Sequence, residues 1–372
     1  MTSPAPPLQF GLEATCGAAR AGRLVLPHAT VPTPTFMAVG TRGTVKACTI
    51  DQVAATGTRI LLGNTFHLLL RPGPERVKAA GGLHGFTRWP HAMLTDSGGY
   101  QVFSLAELRT LSEEGVTFKS PYDGATVELS PERSIAVQND LGADVIMAFD
   151  ECAPFPAERE AVAAAVERTT RWARRSLEAH ARQGEQALFG IVQGGVHEDL
   201  RRRSRDALIE LDLPGYAIGG LSVGEGPERM DATLGFTCPL LPEGRPRYLM
   251  GVGKPEDIVR GVARGVDMFD CVLPTRNARN GEVFTWPRGA IRLRHAAHKD
   301  DQRPIDPLCD CLACARGVSR AYLRHLLACD EIAGLTYCSV HNLRFYQRLT
   351  GRLRREIVAG TFEAFAREYL AG

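Results

Sequence analysis

Eight short apolar runs recur along the chain, most of them followed by a helix-like segment, and no other feature restricts the possible folds as much. The runs are Thr35–Gly40, Arg59–Asn64, Ala92–Asp96, Asp144–Asp150, Ala187–Gln193, Tyr216–Leu221, Arg247–Gly251 and Val266–Leu273. Their near-continuous hydrophobicity fits parallel strands covered on both faces. Helical patterns intervene at Ile50–Ala55, Pro131–Leu141, Ala157–Gln183, Glu198–Leu211 and Pro255–Arg264. Ser130 before Pro131 is a helix start signal, an N-cap hydroxyl followed by proline in the first turn. Eight alternating units point to an α/β protein of the (β/α)8 TIM-barrel type, whose site lies at the C-terminal strand ends. Asn64, Asp96, Asp150, Gln193, Gly220 and Asp270 then face one bowl. A doubly wound open sheet shares the alternation but does not gather all eight strand ends.

A barrel of about 250 residues with insertions accounts for a chain of 372. Asp123-Gly124 is a hairpin signal between Val116–Lys119 and Val127–Leu129, so a small β excursion interrupts the pattern near residues 110–130. No apolar run approaches the roughly 20 residues that a membrane helix needs, and no charged leader with an apolar core is read at the start. A soluble, cytoplasmic protein without membrane partners is expected. Its ten cysteines are then mostly reduced thiols.

The stretch Met268-Phe-Asp-Cys-Val-Leu-Pro-Thr-Arg-Asn-Ala-Arg-Asn-Gly281 carries the first chemical signal. A strand-like run delivers Asp270 and breaks at Pro274, and a basic loop follows. By itself Asp270 reads as a turn cap. Overall charge is nearly balanced, 44 basic against 42 acidic residues, yet Arg276, Arg279, Arg288, Arg292, Arg294 and Lys299 face only Glu282 between Pro274 and Lys299. Arginine beside a strand-end carboxylate suggests covalent chemistry on a polyanion such as a nucleic acid.

Cys309-Asp-Cys311-Leu-Ala-Cys314 packs three thiols too tightly for comfortable disulfides. With His341, they make a closed Cys3His tetrahedral site for one structural zinc ion per subunit. Cys329, Cys338 and His325 remain alternatives for the fourth ligand. Such binding contributes on the order of 10–16 kcal/mol to local folding. The chain thus divides into a barrel with an N-terminal β segment over 1–275, a zinc-binding subdomain over 276–340, and a C-terminal helix over 341–372 that completes the barrel.

Seven collinear motifs carry a resemblance. Thr95-Asp-Ser-Gly-Gly-Tyr-Gln101, Phe149-Asp-Glu-Cys152, Gly190-Ile-Val-Gln-Gly194, Gly219-Gly-Leu-Ser-Val-Gly-Glu225, Tyr248-Leu-Met-Gly-Val-Gly253, the Asp270 stretch and the cysteine cluster run in order from about Phe10 to the C-terminus. Together they resemble the bacterial tRNA-guanine transglycosylases. The resemblance implies a zinc-bearing, homodimeric barrel that exchanges guanine at the tRNA wobble position for a 7-substituted 7-deazaguanine. The tRNA partner would carry a G-U-N anticodon, and the reaction would be a step in queuosine biosynthesis.

Base exchange with retention needs two displacements, and two carboxylates in one bowl suit it. The residues alone allow either order of roles. The resemblance implies Asp270 as nucleophile and Asp96 as general acid/base. It also implies base binding by Asp96, Ser97, Tyr100, Asp150, Cys152, Gln193, Gly220, Leu221 and Met250, and tRNA binding by Arg276 and Arg279. Asp150 can accept from guanine donors, while Gln193 and the Gly220 N–H can donate to its carbonyl. Val223, Tyr100 and Cys152 stand where relatives that accept queuine carry smaller or different residues, so 7-aminomethyl-7-deazaguanine is the expected base. Gly195 and Ala153 depart from the expected serine and threonine, and one extra residue lies between Cys314 and Tyr322. Two other classes share some of these features. A retaining glycosidase or nucleoside hydrolase would not need the basic stretch, and a non-catalytic zinc-bearing RNA-binding subunit would not need both Asp96 and Asp270.

Overall fold

Along a strand successive side chains point to opposite faces, so each buried run must satisfy two environments at once. The computed structural model describes residues 6–105 and 109–371. All eight apolar runs are strands of one closed barrel: β1 (Thr35–Gly40), β2 (Ile60–Gly63), β3 (Ala92–Thr95), β4 (Val145–Met147), β5 (Ala187–Val192), β6 (Gly215–Ile218), β7 (Arg247–Leu249) and β8 (Met268–Cys271). Neighbours in sequence pair in parallel, and the ring closes where β8 pairs with β1, Met268 opposite Thr35 and Asp270 opposite Met37.

Parity sorts the residues into two cores. Met37, Leu62, Leu94, Met147, Phe189, Ile191, Ala217, Tyr248 and Met268 pack inside the barrel. Phe36, Ala38, Leu61, Met93, Ile146, Leu188, Ile218, Leu249 and Phe269 pack outward against the helices. Leu8, Leu24, Leu26 and Val31 join the inner cluster. All four come from or next to an antiparallel sheet of Gln9–Cys16, Ala19–Val25 and Thr30–Thr33, which caps the N-terminal end of the barrel. The same parity aims Asp270, near the end of β8, and Asn64, Asp96, Gln193 and Met250, one step past their strands, into the opposite mouth.

The excursion after β3 is a three-stranded sheet, Arg109–Leu111, Val116–Lys119 and Thr126–Leu129. The helix that follows, Pro131–Leu141, starts as its sequence signals: the Ser130 hydroxyl accepts from Arg133 N–H at 3.2 Å, and Gly142 closes it with φ +71°.

Two elements differ from the sequence reading. Arg276 and Arg279 lie on a short helix, Leu273–Arg279, rather than in a loop. Pro274 falls in its first turn, where a backbone N–H has no helical acceptor, so proline does not break it. The last amphipathic segment is two helices, Ile332–Val358 and Phe362–Ala371, and His341 sits inside the first one. An added hairpin, Glu282–Thr285 with Gly289–Arg292, had no apolar alternation to announce it.

Candidate active site

The barrel mouth encloses a cavity of about 520 Å³. Asn64, Asp96, Ser97, Tyr100, Asp150, Cys152, Gln193, Gly220, Leu221, Met250, Asp270 and Arg276 all line it. Every base-binding and catalytic candidate from the sequence is therefore in one place. Arg279 is set back from the cavity wall, half-buried behind Arg276 on the same short helix.

Asp96 is buried at the end of β3 and tied to the loop after β2. Asn64 Nδ2 donates to its Oδ2 at 2.6 Å, and the Thr65 N–H donates to Oδ1 at 2.8 Å. Asn64 also caps helix Thr65–Leu70, its Oδ1 accepting from His67 N–H at 3.1 Å, so its amide orientation is set from both ends. Burial lifts the Asp96 carboxyl to about 7; the Thr65 N–H opposes this, and the charges of Asp270 and Asp150 add to it. The group therefore exchanges a proton near neutrality.

Asp270 is held differently. Tyr248 Oη donates to its Oδ1 at 2.6 Å and Gly251 N–H to the same oxygen at 2.8 Å. Burial raises its carboxyl above the usual range while these two bonds oppose the rise. The sequence reading took Tyr248 as a strand residue that opens one of the seven motifs, and gave it no role at the site. A tyrosine hydroxyl inside an apolar strand was the available signal, because it needs a buried partner.

A donor–acceptor set lies beside the two acids. Ser97 Oγ donates to Asp150 Oδ1 at 2.9 Å and Gln193 Nε2 to Oδ2 at 2.8 Å. Burial still lifts Asp150 to about 6. Two glycines make the approach possible. A Cβ on Gly99 would sit 2.7 Å from the Asp150 carbonyl oxygen, and one on Gly220, at φ +64°, would sit 2.6 Å from Gln193 Oε1. Cys152 lines the cavity with its thiol pushed up to about 12 by burial, then by the Asp150 charge, so it is a neutral contact surface. Glu225 is buried below: its Oε1 accepts Ser222 N–H at 2.6 Å and its Oε2 accepts Val223 N–H at 3.0 Å.

A family model described as Queuine tRNA-ribosyltransferase matches residues 15–372. A protein of that name from Symbiobacterium thermophilum is 57% identical over 353 residues, 95% of this chain and 88% of its own. One from Stenotrophomonas maltophilia is 55% identical over 365 residues, covering 98% and 97% of the two chains. One from Shewanella halifaxensis is 53% identical over 363 residues, covering 97% and 96%. The chain belongs to the queuine tRNA-ribosyltransferase family. It is an enzyme of the pentosyltransferase class.

In this family member the cysteine cluster is built as a metal site. Cys309, Cys311, Cys314 and His341 are all buried, and their ligand atoms lie within 4.8 Å of one another. His341 Nδ1 is 3.4 Å from both Cys311 Sγ and Cys314 Sγ. Tetrahedral coordination at ordinary Zn–S and Zn–N lengths places S and N about 3.5 Å apart. His341 Nε2 lies 2.6 Å from the Phe284 carbonyl oxygen, which fixes the N–H there and leaves the Nδ1 lone pair toward the thiols. The set therefore fits a metal ion. Of the alternative fourth ligands, His325 pairs with the exposed Cys329 at 3.8 Å, away from the cluster. Cys338 is buried nearby but outside the four-ligand group.

The His341-Asn-Leu-Arg segment connects this site to the bowl. Asn342 accepts from Phe284 N–H at 3.0 Å and donates to the carbonyls of Pro274 at 2.9 Å and Glu282 at 3.0 Å. Arg344 forks onto Asp310, between two of the cysteines, at 2.6 and 2.7 Å. The helix bearing Arg276 and Arg279 is thus pinned by the residue next to a metal ligand. Among the described residues, no helix is long and apolar enough to cross a membrane.

Proposed function

We propose that the enzyme exchanges guanine at the wobble position of tRNA with a G-U-N anticodon for 7-aminomethyl-7-deazaguanine, by double displacement through a covalent ribosyl-enzyme. The observation that carries this reading is the pair of buried carboxylates in one cavity, Asp96 lifted to about 7 and Asp270 fixed through a single oxygen.

In the first displacement an Asp270 oxygen bonds to C1′ of the ribose and the C1′–N9 bond breaks, its electron pair leaving with the purine. Asp96 gives its proton to the departing base. In the second, the ionised Asp96 takes the N9 proton of the incoming base, N9 attacks C1′, and Asp270 is released. Two inversions give retention. Asp150 accepts from the amino and ring N–H donors of the base. Gln193, one amide hydrogen already on Asp150, offers the other with the Gly220 N–H to the carbonyl. Tyr100 and Met250 face the ring from the cavity wall.

The substituent at position 7 is read at the Leu221–Ser222 peptide. In a trans peptide the C=O and N–H point oppositely, and Glu225 holds the Ser222 N–H, so the Leu221 carbonyl turns away from Glu225. A carbonyl in that orientation accepts from an ammonium. Arg276 and Arg279 grip the anticodon loop beside the extruded base. Cys309, Cys311, Cys314 and His341 hold a structural zinc ion, which cross-links the helices and hairpin behind this loop. Exposed Leu308, Tyr322 and Ile332 leave apolar surface on the metal-bearing segment, which supports a homodimer. The free thiols suit a cytoplasmic location.

Incubation with radiolabelled guanine and unmodified G-U-N tRNA tests the reading. Label should enter the tRNA without strand cleavage. Guanine release without an acceptor base, at a steady rate, would instead mark a hydrolase.

A further inference from the structure

Outside the bowl, two arginines converge on one aromatic ring. The Arg71 guanidinium carbon lies 4.0 Å from the Tyr122 ring centroid. The Arg42 guanidinium carbon lies 5.7 Å from the same centroid, and its Nη2 donates to the Tyr122 hydroxyl at 2.8 Å. The three residues come from separate segments: Arg42 follows β1, Arg71 ends helix Thr65–Leu70, and Tyr122 is in the turn between Val116–Lys119 and Thr126–Leu129.

Like charges gathered on one ring repel unless an anion joins them. Both arginines are exposed, and among the described residues no carboxylate lies within 4.0 Å of either guanidinium. Asp123 is nearby, but Ser120 and the Ala125 N–H hold its carboxylate, with Arg71 acting on it only as a more distant charge. A groove of about 640 Å³ opens here, lined by Arg71, Ser120, Tyr122, Ser130 and Arg133, with Asp123 and Glu128 also on its wall.

The groove neighbours the bowl. His67 lines the active-site cavity and sits on the helix that ends at Arg71. Burial, and then the charge of Arg42, hold the His67 imidazole below its ordinary pKa, so Arg42 lies close to a residue of the bowl. Thr41, its neighbour, lines the cavity as well. Because β8 pairs with β1 and β1 with β2, the cations after these strands follow one another along a single rim. Arg276 and Arg279 are at one end of that arc, Arg42 and Arg71 at the other.

We propose that Arg42, Tyr122 and Arg71 form a phosphate-binding station for the RNA strand on one side of the reacting nucleotide. This rests on the reading that the substrate is tRNA. The phosphodiester, rather than a stacked base, is the group recognised. One face of Tyr122 is already covered by Arg71, while both arginines stay exposed, and arginine pairs with phosphate through two parallel hydrogen bonds.

The test is tRNA binding over a salt series, with exchange kinetics, for wild type and Arg42→Ala/Arg71→Ala. Losing two phosphate contacts on a single strand should flatten the slope of log K against log salt by about 1.4. Kd and KM for tRNA should rise roughly five- to tenfold, the loss falling on KM rather than kcat. Arg42→Gln and Arg71→Gln singly keep length and hydrogen bonding, so they report even if the double variant fails to fold; each should give about half the slope change. Arg202→Ala/Arg203→Ala, on the outer helix Glu198–Ile209, serves as the control and should change nothing. An unchanged slope in folded Arg42 and Arg71 variants, or an equal change in the control, overturns the proposal. Wild type that neither binds tRNA nor incorporates guanine overturns the substrate reading instead.

Discussion

The hydroxyl of Tyr248, a fully buried side chain, and the N–H of Gly251 both donate to Oδ1 of Asp270, at 2.6 and 2.8 Å, and among the described residues no hydrogen bond reaches Oδ2. The two carboxylate oxygens are therefore unequal: one is anchored, and on the proposed mechanism the other is the attacking atom. Tyr248→Phe removes a charge-assisted bond worth about 1.5–3 kcal/mol. We expect kcat to fall on the order of 10- to 100-fold with KM for tRNA within a few-fold. Because this bond lowers the Asp270 pKa, the acid limb of the kcat profile should move to higher pH in the variant. A limb that stays in place would reduce Tyr248 to a packing role. Asp270→Ala should abolish exchange and covalent trapping while tRNA still binds.

Asp96 makes stability depend on pH in a particular direction. Its folded-state pKa of about 7 lies above the ordinary 3.8, so the fold prefers the protonated acid. That contribution is full below the unfolded value and is lost as pH rises through about 7. Asp96→Asn cannot ionise. It should match wild type near pH 4 and exceed it by roughly 2–4 kcal/mol near pH 8.5, while losing exchange. Urea unfolding of both proteins at several pH values checks this. A difference that does not grow with pH would show that burial of this carboxylate is relieved in some other way.

Much of this architecture was legible because period-2 alternation decides both where a strand goes and which way its end points. The eight runs themselves showed as near-continuous apolar stretches, and the inward aim of Asp96, Gln193 and Asp270 follows from that alternation. Tyr248 was not legible in the same way, since an apolar strand containing tyrosine reads as core whether or not its hydroxyl meets a carboxylate. The helix Leu273–Arg279 was obscured by Pro274, whose effect depends on whether it falls in the first turn or a later one. His341 read as the start of a segment because a helix of 27 residues with a buried middle shows no break at its true beginning, Ile332. The Arg42–Tyr122–Arg71 contact joins three distant segments, and no local pattern encodes it.

The metal cluster should control the short helix that carries Arg276 and Arg279. His341 bonds to Phe284, and Asn342 bonds to Phe284, Pro274 and Glu282, so ordering the four ligands also orders the hairpin and short helix. Cys311→Ser should lose close to one zinc per chain. It should also increase amide exchange or protease cleavage between residues 276 and 340, and weaken tRNA binding more than binding of free guanine. Purified wild-type protein without metal, or a zinc-free Cys311→Ser protein with undisturbed exchange in that region, would sink the assignment.

On the proposed reading, base choice turns on Val223 and the Leu221 carbonyl. Val223 lines the cavity, and Glu225 fixes its N–H together with that of Ser222, so the valine backbone cannot retreat without breaking two hydrogen bonds to a buried carboxylate. A bulky cyclopentenediol at position 7 of the base must overlap it, at a cost of about 1–3 kcal/mol or more. In the proposed binding mode an aminomethyl group stops before Val223 and places its ammonium at the carbonyl. We therefore expect 7-aminomethyl-7-deazaguanine to compete strongly with labelled guanine and queuine to compete weakly. Val223→Gly should improve queuine use by roughly tenfold or more, the equivalent of that overlap, with little effect on guanine exchange. Glu225→Gln supplies the complementary test. Its amide can present an N–H where the carboxylate only accepts, so the peptide is no longer held in one orientation and the preference for the ammonium over guanine should shrink. If wild type is inhibited by queuine as well as by the aminomethyl base, then neither Val223 nor the peptide sets the choice.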